Sequence, residues 1–195
     1  MPLLVVLAEV AHVLFLGNFH VVIPGEVFRA AQPSGRDVER MVRQYDLRTV
    51  INLRGRGDGM AWYEDEARAC QKLGVSHENL TFSASRLPSR TELNRLIELL
   101  DRAERPLVLH CRQGADRTGL AVAVLQLLQP GSAYRDARAA MGLRWGHWRW
   151  GPAGELGEFF ELYQGWLANA QIEHSAEAFR RWATTGYDGG YRHYE

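Results

Sequence analysis

Residues 106–119 read PLVLHCRQGADRTG, and this stretch decides the fold class of the chain. Residues 106–110 form an apolar run that is typical of a buried strand, and the run leads directly into Cys111. Residues 118–129 are almost all apolar, which is typical of a buried helix. The residues from Arg112 to Arg117 are therefore predicted to form a short loop between a buried strand and a buried helix.

Strand and helix patterns alternate on both sides of this stretch. Short apolar or β-branched runs predict four further strands, at residues 19–23, 26–30, 49–53 and 75–82. Ser34 with Asp37, and Ser89 with Glu92, have the spacing of helix-capping residues and predict two helix starts. Strands that alternate with helices predict an α/β protein, with a central, mostly parallel sheet of four to five strands flanked by helices.

The composition suits one compact domain, because 46% of the 195 residues are hydrophobic. The 23 basic and 23 acidic residues balance, whereas nucleic-acid-binding proteins usually carry a basic excess, so no nucleic-acid partner is expected. Cys70 and Cys111 are too few for a disulfide framework or a cysteine-based zinc site, and no metal site is expected. Cys70 lies among apolar residues of a predicted helix, which favours a core role. We expect a single domain over residues 18–195, with a helical C-terminal extension.

The first 17 residues form a separate apolar segment. Residues 3–16 are almost all apolar, apart from Glu9 and His12, but no basic region precedes them as in a signal peptide. Two alternatives stay open: a helix packed on the domain, or a shortened membrane anchor. The missing polar face slightly favours the anchor, so we expect either a cytoplasmic protein or one associated with a membrane through residues 3–16.

The predicted strand–loop–helix arrangement around Cys111 has the chemistry of an anion site. Backbone N–H groups at a helix N-terminus attract anions, and the same positive potential favours the thiolate form of Cys111. A thiolate is a strong nucleophile. Arg117 offers parallel N–H groups that match two phosphate oxygens, and Gly114 allows a close approach of the backbone. Thr118 can donate a hydrogen bond to the thiolate or cap the helix.

The segment from His110 to Thr118 resembles the His-Cys-x5-Arg-Ser/Thr loop of the protein tyrosine phosphatase superfamily. This resemblance implies a cysteine-phosphatase fold and a phosphocysteine intermediate that water hydrolyses, with no metal or other cofactor. It places the nucleophile at Cys111, the phosphate-binding arginine at Arg117 and the loop-ordering histidine at His110. It also implies a group of loop residues that bind the phosphate: Arg112, Gln113, Gly114, Ala115 and Thr118.

Three further segments are similar to bacterial dual-specificity-like phosphatases: residues 27–33 (VFRAAQP), 49–54 (TVINLR) and 143–147 (LRWGH). With the loop, this likeness extends over about residues 18–168. Arg54 follows a predicted strand and can reach the site from its end in a supporting role. The alternative, a surface cation, is equally compatible with the sequence.

The chain departs from the family pattern at the general acid. The family places an aspartate about thirty residues before the cysteine, but residues 82–90 contain no carboxylate. Glu92 is nearest, and its capping box explains it better. Asp116 occupies a position that also carries an aspartate in myotubularin-like lipid phosphatases, where it is the assigned acid. Our hypothesis is that Asp116 protonates the leaving group, and the alternative is that it only orients Arg117.

Three functions fit these observations. The first is a phosphatase for phosphotyrosine, extending to phosphoserine and phosphothreonine. The second is a phosphoinositide or lipid phosphatase, which the Asp116 match favours, although position 115 is Ala where many such loops carry Lys. The third is a non-catalytic phosphate-binding module, which the missing upstream aspartate suggests and the intact Cys111 and Arg117 oppose. The expected partner is a phosphorylated protein or a phospholipid substrate.

Overall fold

The computed structural model describes residues 17–146 and 156–189. Its five strands are β1 (His20–Ile23), β2 (Val27–Ala30), β3 (Thr49–Asn52), β4 (Ser76–Asn79) and β5 (Leu107–His110). Its α-helices are α1 (Gly35–Tyr45), α2 (Ala61–Leu73), α3 (Arg90–Arg102), α4 (Asp116–Leu127), α5 (Tyr134–Ala139), α6 (Glu158–Ala170) and α7 (Ala176–Arg181). Leu143–Trp145 forms a 3₁₀ turn, and Trp182–Gly186 continues α7 as a π-helical turn.

The five strands form one sheet in the order β1-β2-β5-β3-β4. Only the β1–β2 pair is antiparallel, while β2, β5, β3 and β4 run parallel. The last residue of β5, His110, lies between Ala30 of β2 and Asn52 of β3. Because parallel strands end at the same edge of a sheet, the residues that follow β2, β3 and β5 meet there. The predicted α/β architecture with a mostly parallel sheet is confirmed.

The side chains of the central strands alternate between two hydrophobic layers. Ile51, Leu107 and Leu109 belong to a large core formed with α3, α4, α6 and α7. Val50 and Val108, which lie between them in the strands, belong to a second core formed with α1 and α2. This alternation follows from the two-residue repeat of a strand, and it explains why the sheet strands read as continuous apolar runs.

The predicted helix caps are present at α1 and α3. Ser34 and Asp37 form a reciprocal capping box before α1, and Ser89 and Glu92 form another before α3. Glu92 also pairs with Arg86 at 2.9 Å, so its carboxylate is engaged at this helix start. The structure therefore confirms the capping role of Glu92, as the sequence predicted.

Two elements differ from the sequence-based prediction by more than one residue at an end. The strand predicted at residues 75–82 is β4, Ser76–Asn79, after which an isolated bridge joins Arg54 to Thr81. The helix predicted from residue 118 begins earlier, at Asp116. As a consequence, Asp116 and Arg117 lie in the first helical turn rather than in the loop. Part of the similar segment 143–147 and the Trp-rich residues after it lie outside the described residues.

The prediction of a membrane-anchored protein is wrong. Within residues 17–146 and 156–189, no helix is long and apolar enough to cross a membrane. Of the helices that the structure describes, α2 and α3 have 13 residues each, whereas a membrane span needs about 20. The apolar residues 3–16 that suggested the anchor lie outside the described part of the chain.

Candidate active site

Cys111 lies at the junction of β5 and a tight loop that ends at the N-terminus of α4. Its side chain is buried, with 3% exposure. Ala115 is the N-cap residue of α4 and supplies no side-chain hydrogen bond to the helix. The first-turn N–H groups of a helix have no partner within the helix, so those of α4 are potential anion ligands. The strand–loop–helix arrangement predicted from the sequence is present, with Cys111 directly after β5 and the loop that follows it ending at α4.

Gly114 allows this loop to lie directly against β2. Its φ is +69°, a conformation that side chains disfavour, and an added Cβ would come within 2.6 Å of the Ala30 carbonyl carbon. The same Cβ would lie 2.7 Å from the Ala31 nitrogen, which is part of the backbone and cannot move aside easily. A second backbone contact joins the Gln32 N–H to the Arg112 carbonyl at 3.3 Å. The loop is thus packed backbone to backbone against the end of β2.

Arg29 of β2 holds the loop in place through hydrogen bonds, a role that was not predicted from the sequence. It is 1% exposed, and its guanidinium donates to the carbonyls of Ala140 at 2.9 Å and Gly114 at 2.8 Å. The same group lies 4.5 Å from the centre of the Trp145 ring. Burial lowers the pKa of Arg29 to about 10, and a negative charge on Cys111 opposes that shift. An arginine in a strand that is otherwise apolar was the one sequence signal for this role.

Asn18 holds the other side of the loop, and this role was also not predicted from the sequence. It is fully buried, and its side-chain amide donates to the carbonyls of Gln113 at 2.9 Å and Trp145 at 3.1 Å. His20 contacts the Asn18 amide oxygen at 3.0 Å. Asn18 therefore ties the loop after β5 to the segment after α5. No local pattern around Asn18 indicates this function, because its partners lie 95 and 127 residues away.

Two donors in the first turn of α4 lack a protein partner in the part of the chain that the structure describes. They are the Nε of Arg117 and the hydroxyl of Thr118, both buried. The Arg117 guanidinium makes one long contact in the described part of the chain, 3.5 Å from its Nη1 to the Phe82 carbonyl. A buried donor without an acceptor is unfavourable by about 1–3 kcal/mol, so an anion bound in the loop would stabilise this arrangement.

Behind His110, a buried carboxylate organises a polar network. Glu66 of α2 is fully buried, and one of its oxygens lies 3.0 Å from His110 Nε2 and 2.6 Å from His77 Nε2. The Gln32 side-chain amide donates to its other oxygen. Burial alone would raise the pKa of Glu66, but hydrogen bonds from His110 and His77 outweigh it and lower the pKa to about 2. Glu66 is therefore an anion that holds His110. The loop-ordering role that the resemblance implies for His110 stays a prediction, because its Nδ1 has no hydrogen-bond partner among the described residues.

Gln32 extends this network to Arg54. The Arg54 guanidinium donates to the Gln32 side-chain oxygen at 2.8 Å, and it lies 3.4 Å from the centre of the Trp62 ring. Burial, followed by the positive charges of Arg117 and Arg112, lowers the pKa of Arg54. Arg54 is only partly buried, follows β3 and stands beside the Cys111 loop. Of the two roles left open by the sequence, the geometry favours the one at the site.

Asp116, our candidate acid, is the first residue of α4 and is partly buried. It therefore lies at the rim of the loop, directly before Arg117. Gln113 and Arg112 are exposed, whereas Gly114 and Ala115 are buried.

Within residues 17–146 and 156–189, no group of three or more His, Cys, Asp or Glu side chains is arranged to hold a metal ion.

A cavity of about 510 Å³ lies next to this site but does not include it. It is bounded by the end of β2 and by α1, with Gln32, Pro33, Met41 and Tyr45 among its lining residues. None of the residues 111–118 lines it. The residues of the Cys111 loop therefore lie outside this cavity.

Three solved structures share this fold. The core catalytic domain of the PP-IP phosphatase SIW14 from S. cerevisiae, in complex with citrate, has 17% sequence identity and a TM-score of 0.60, and the match covers 79% of this chain and 93% of that one. TpbA from P. aeruginosa, in complex with pTyr, has 24% identity and a TM-score of 0.52, covering 68% and 76%. PTPMT1 in complex with PI(5)P has 18% identity and a TM-score of 0.52, covering 78% and 98%.

These likenesses define the class of the protein as the cysteine-phosphatase fold, which confirms the predicted fold and membership of the protein tyrosine phosphatase superfamily. The chain belongs to the family described as "DSP-PTPase phosphatase fused to NAD+ Kinase" (PTP-NADK), which matches residues 24–146. It is therefore a phosphatase of the DSP/PTP family.

Proposed function

We propose that this protein hydrolyses phosphate monoesters through a phosphocysteine intermediate on Cys111, without a metal ion. One observation carries the proposal. The buried Cys111 side chain lies at the start of a tight loop, and the Nε of Arg117 lies in the first turn of α4, at the other end of that loop. This Nε is buried and has no partner among the described residues. A dianionic phosphate bound between them would accept hydrogen bonds from Arg117 and from main-chain N–H groups, next to the sulfur.

In the first step, the Cys111 thiolate attacks phosphorus and forms an S–P bond, while the bond to the leaving oxygen breaks. Asp116 gives its proton to that oxygen, so an alcohol or phenol departs. Arg117 stabilises the charge on the equatorial phosphate oxygens. In the second step, water attacks phosphorus and loses a proton to Asp116, and the S–P bond breaks to give phosphate and the thiolate. The Thr118 hydroxyl, buried in the same helical turn, can donate to the departing sulfur.

Residues outside the loop keep this arrangement in place. Arg29 and Asn18 hold the carbonyls of Gly114 and Gln113, which orients the intervening N–H groups toward the centre of the loop. Glu66 holds His110 at the start of the loop. All of these contacts are made within the chain itself, which lowers the entropic cost of ordering the loop around a substrate.

For the substrate, we propose phosphotyrosine first, with phosphoserine and phosphothreonine as further substrates of the same loop. TpbA, which shares the fold, is seen in complex with pTyr. A phosphoinositide is the second candidate, since PTPMT1 with the same fold is seen with PI(5)P and SIW14 is a PP-IP phosphatase. Asp116 supports the phosphoinositide candidate, because myotubularin-like lipid phosphatases carry an aspartate at that position. Ala115 does not support it, because many such loops carry a lysine there for additional phosphates.

The decisive experiment is turnover of an aryl phosphate with a chelator present. Cys111→Ser should reduce the rate by about 10³-fold or more, because serine is a far weaker nucleophile here. Cys70→Ala is the matched control, since Cys70 lies in the core of α2, and it should keep most of the activity of the folded protein. Absence of turnover in the wild-type chain, with retained phosphate binding, would instead support the non-catalytic module. A comparison of a phosphotyrosine peptide with a phosphoinositide then ranks the two substrate classes.

A further inference from the structure

Three arginine side chains surround the Cys111 loop, and the structure pairs none of them with a carboxylate in the described part of the chain. Arg112 belongs to the loop, Arg117 lies in the first turn of α4, and Arg54 follows the neighbouring strand β3. Their mutual positive charge is one of the factors that lower the pKa of Arg54, after burial. Many other arginines of the chain, such as Arg86 and Arg180, form ion pairs at 2.7–2.9 Å. An unpaired cluster of positive charge at the site indicates a strongly anionic ligand.

Arg54 is held in one position, unlike a mobile surface cation. Trp62 covers one face of its guanidinium at 3.4 Å, and Gln32 accepts a hydrogen bond from one edge at 2.8 Å. Gln32 is itself fixed by the buried Glu66 carboxylate. This chain of contacts orients the Gln32 oxygen toward Arg54, because its amide nitrogen is used by Glu66. Within residues 17–146 and 156–189, Gln32 is the one acceptor that the Arg54 guanidinium contacts, so its other N–H groups are available to a ligand.

The same residue, Gln32, connects Arg54 to the loop. Its backbone N–H donates to the Arg112 carbonyl at 3.3 Å, while its side chain accepts from Arg54. In addition, the N–H of Leu53 donates to the His110 carbonyl at 2.9 Å, which sets the end of β3 directly beside the start of the loop. Arg54 therefore stands at a fixed position next to, but outside, the loop that would bind the scissile phosphate.

We propose that Arg54, together with the exposed Arg112, forms a second anion subsite beside the Cys111 loop. The inference rests on the proposed function and narrows it: the preferred substrates carry a second phosphate group close to the scissile one. One phosphate engages Arg117 and the main-chain N–H groups. The second phosphate bridges Arg54 and Arg112, and its negative charge offsets the repulsion between the two cations. It accepts hydrogen bonds from the edge of the Arg54 guanidinium that does not contact Gln32. The shared chemistry is that of a diphosphate or of neighbouring phosphates on one ring.

The test compares orthophosphate with inorganic pyrophosphate as competitive inhibitors of aryl phosphate hydrolysis. In the wild-type chain, pyrophosphate should inhibit about 10-fold more tightly than orthophosphate, because it makes one more charge-assisted contact. In Arg54→Gln, this ratio should fall to about 2 or less. Arg56→Gln is the matched control, since Arg56 lies on the same segment but is exposed and pairs with Asp58 at 3.1 Å. That control should keep both the ratio and the activity.

An unchanged ratio in Arg54→Gln would overturn the subsite. If the affinity for both anions fell by the same factor, Arg54 would belong to the single-phosphate site instead. Calorimetric titration of both anions into Cys111→Ser measures the same ratio without turnover. A missing aryl phosphatase activity would therefore refute the proposed function, while the calorimetric ratio would still decide the subsite. Turnover of a free inositol polyphosphate and of a phosphoinositide in vesicles, by the wild type and Arg54→Gln, then separates the two sources of the second phosphate.

Discussion

Cys70 and Cys111 are both buried, yet the structure gives them opposite chemical settings. Cys70 is 0% exposed and lies within α2, where burial and the nearby negative charge of Glu66 raise its pKa to about 12. Cys111 is 3% exposed and lies at the end of β5, facing the N-terminus of α4 and near the buried cation Arg29. Burial alone therefore does not decide whether a cysteine is reactive. The position relative to a helix end, and the sign of neighbouring charges, decide it.

Glu66 contributes to both settings. Its negative charge disfavours ionisation of Cys70, and the same carboxylate holds His110 immediately before Cys111. A single buried anion thus adds to the effect of burial on the pKa of Cys70 and contacts the histidine that precedes Cys111. The predictions below test this contrast, from the largest expected effect to the smallest.

Replacing Arg117 by lysine should have the largest effect. Lysine keeps the positive charge but cannot donate two parallel hydrogen bonds, so kcat for an aryl phosphate should fall on the order of 10³-fold. The measurement is steady-state kinetics at saturating substrate. Arg95→Lys, an exposed position on α3, is the control and should behave as the wild type. A loss of less than about 3-fold in Arg117→Lys would contradict the bidentate role.

The rates of alkylation should differ strongly between the two cysteines. Iodoacetamide should modify Cys111 on the order of 100-fold faster than Cys70 in the native protein, as measured by peptide mass spectrometry. Inorganic phosphate should slow the modification of Cys111, and denaturant should make Cys70 equally accessible. Equal modification rates for the two thiols in the native protein, or no protection of Cys111 by phosphate, would contradict the proposed difference in reactivity.

Substitution of Asp116 by asparagine should depend on the leaving group. On an alkyl phosphate, which needs a proton on the leaving oxygen, the rate should fall by about 10²-fold. On an aryl phosphate with a good leaving group, the loss should be about 10-fold or less, because protonation matters less there. Asp136→Asn, at an exposed position of α5, is the control. Full alkyl phosphatase activity in Asp116→Asn would leave only the orienting role for this residue.

The smallest effect concerns stability in acid. The pKa of Glu66 is lowered to about 2 in the folded protein, so the ionised carboxylate stabilises the fold above about pH 4.5 and this contribution is lost as the pH falls toward 2. The loss amounts to about 2–3 kcal/mol of unfolding free energy for such a shift. In Glu66→Gln, the unfolding free energy should change less over the same pH range, as measured by denaturant titration. Glu98→Gln, exposed on α3, should retain the wild-type dependence.

The parts of the fold with a local signal were predictable from the sequence. Residues 106–119 indicated the strand, loop and helix around Cys111, and the Ser34 and Ser89 capping boxes marked the starts of α1 and α3. These features depend on neighbouring residues, so their patterns are visible in a short window. The short β4 was harder, since only its pairing with β3 determines where it ends.

The supporting residues of the site lack such a signal. Glu66 lies in a charged helical segment, and nothing in that segment distinguishes it from the exposed Glu64 and Asp65. Its partners Gln32 and His110 lie 34 and 44 residues away along the chain. Parallel strands bring these distant residues to one sheet edge, and only the complete sheet shows which polar side chains become buried there.

The central claim, a covalent phosphocysteine on Cys111, is tested most directly by trapping the intermediate. The wild-type chain would be mixed rapidly with an aryl phosphate, quenched in acid, digested and examined by mass spectrometry. Our account predicts a phosphoryl group on the peptide that contains Cys111, at a level that accumulates before steady-state turnover, and none on the peptide that contains Cys70. Turnover accompanied by a phosphoryl group on another residue, or by no phosphorylated peptide at any quench time even with Asp116→Asn, would contradict it.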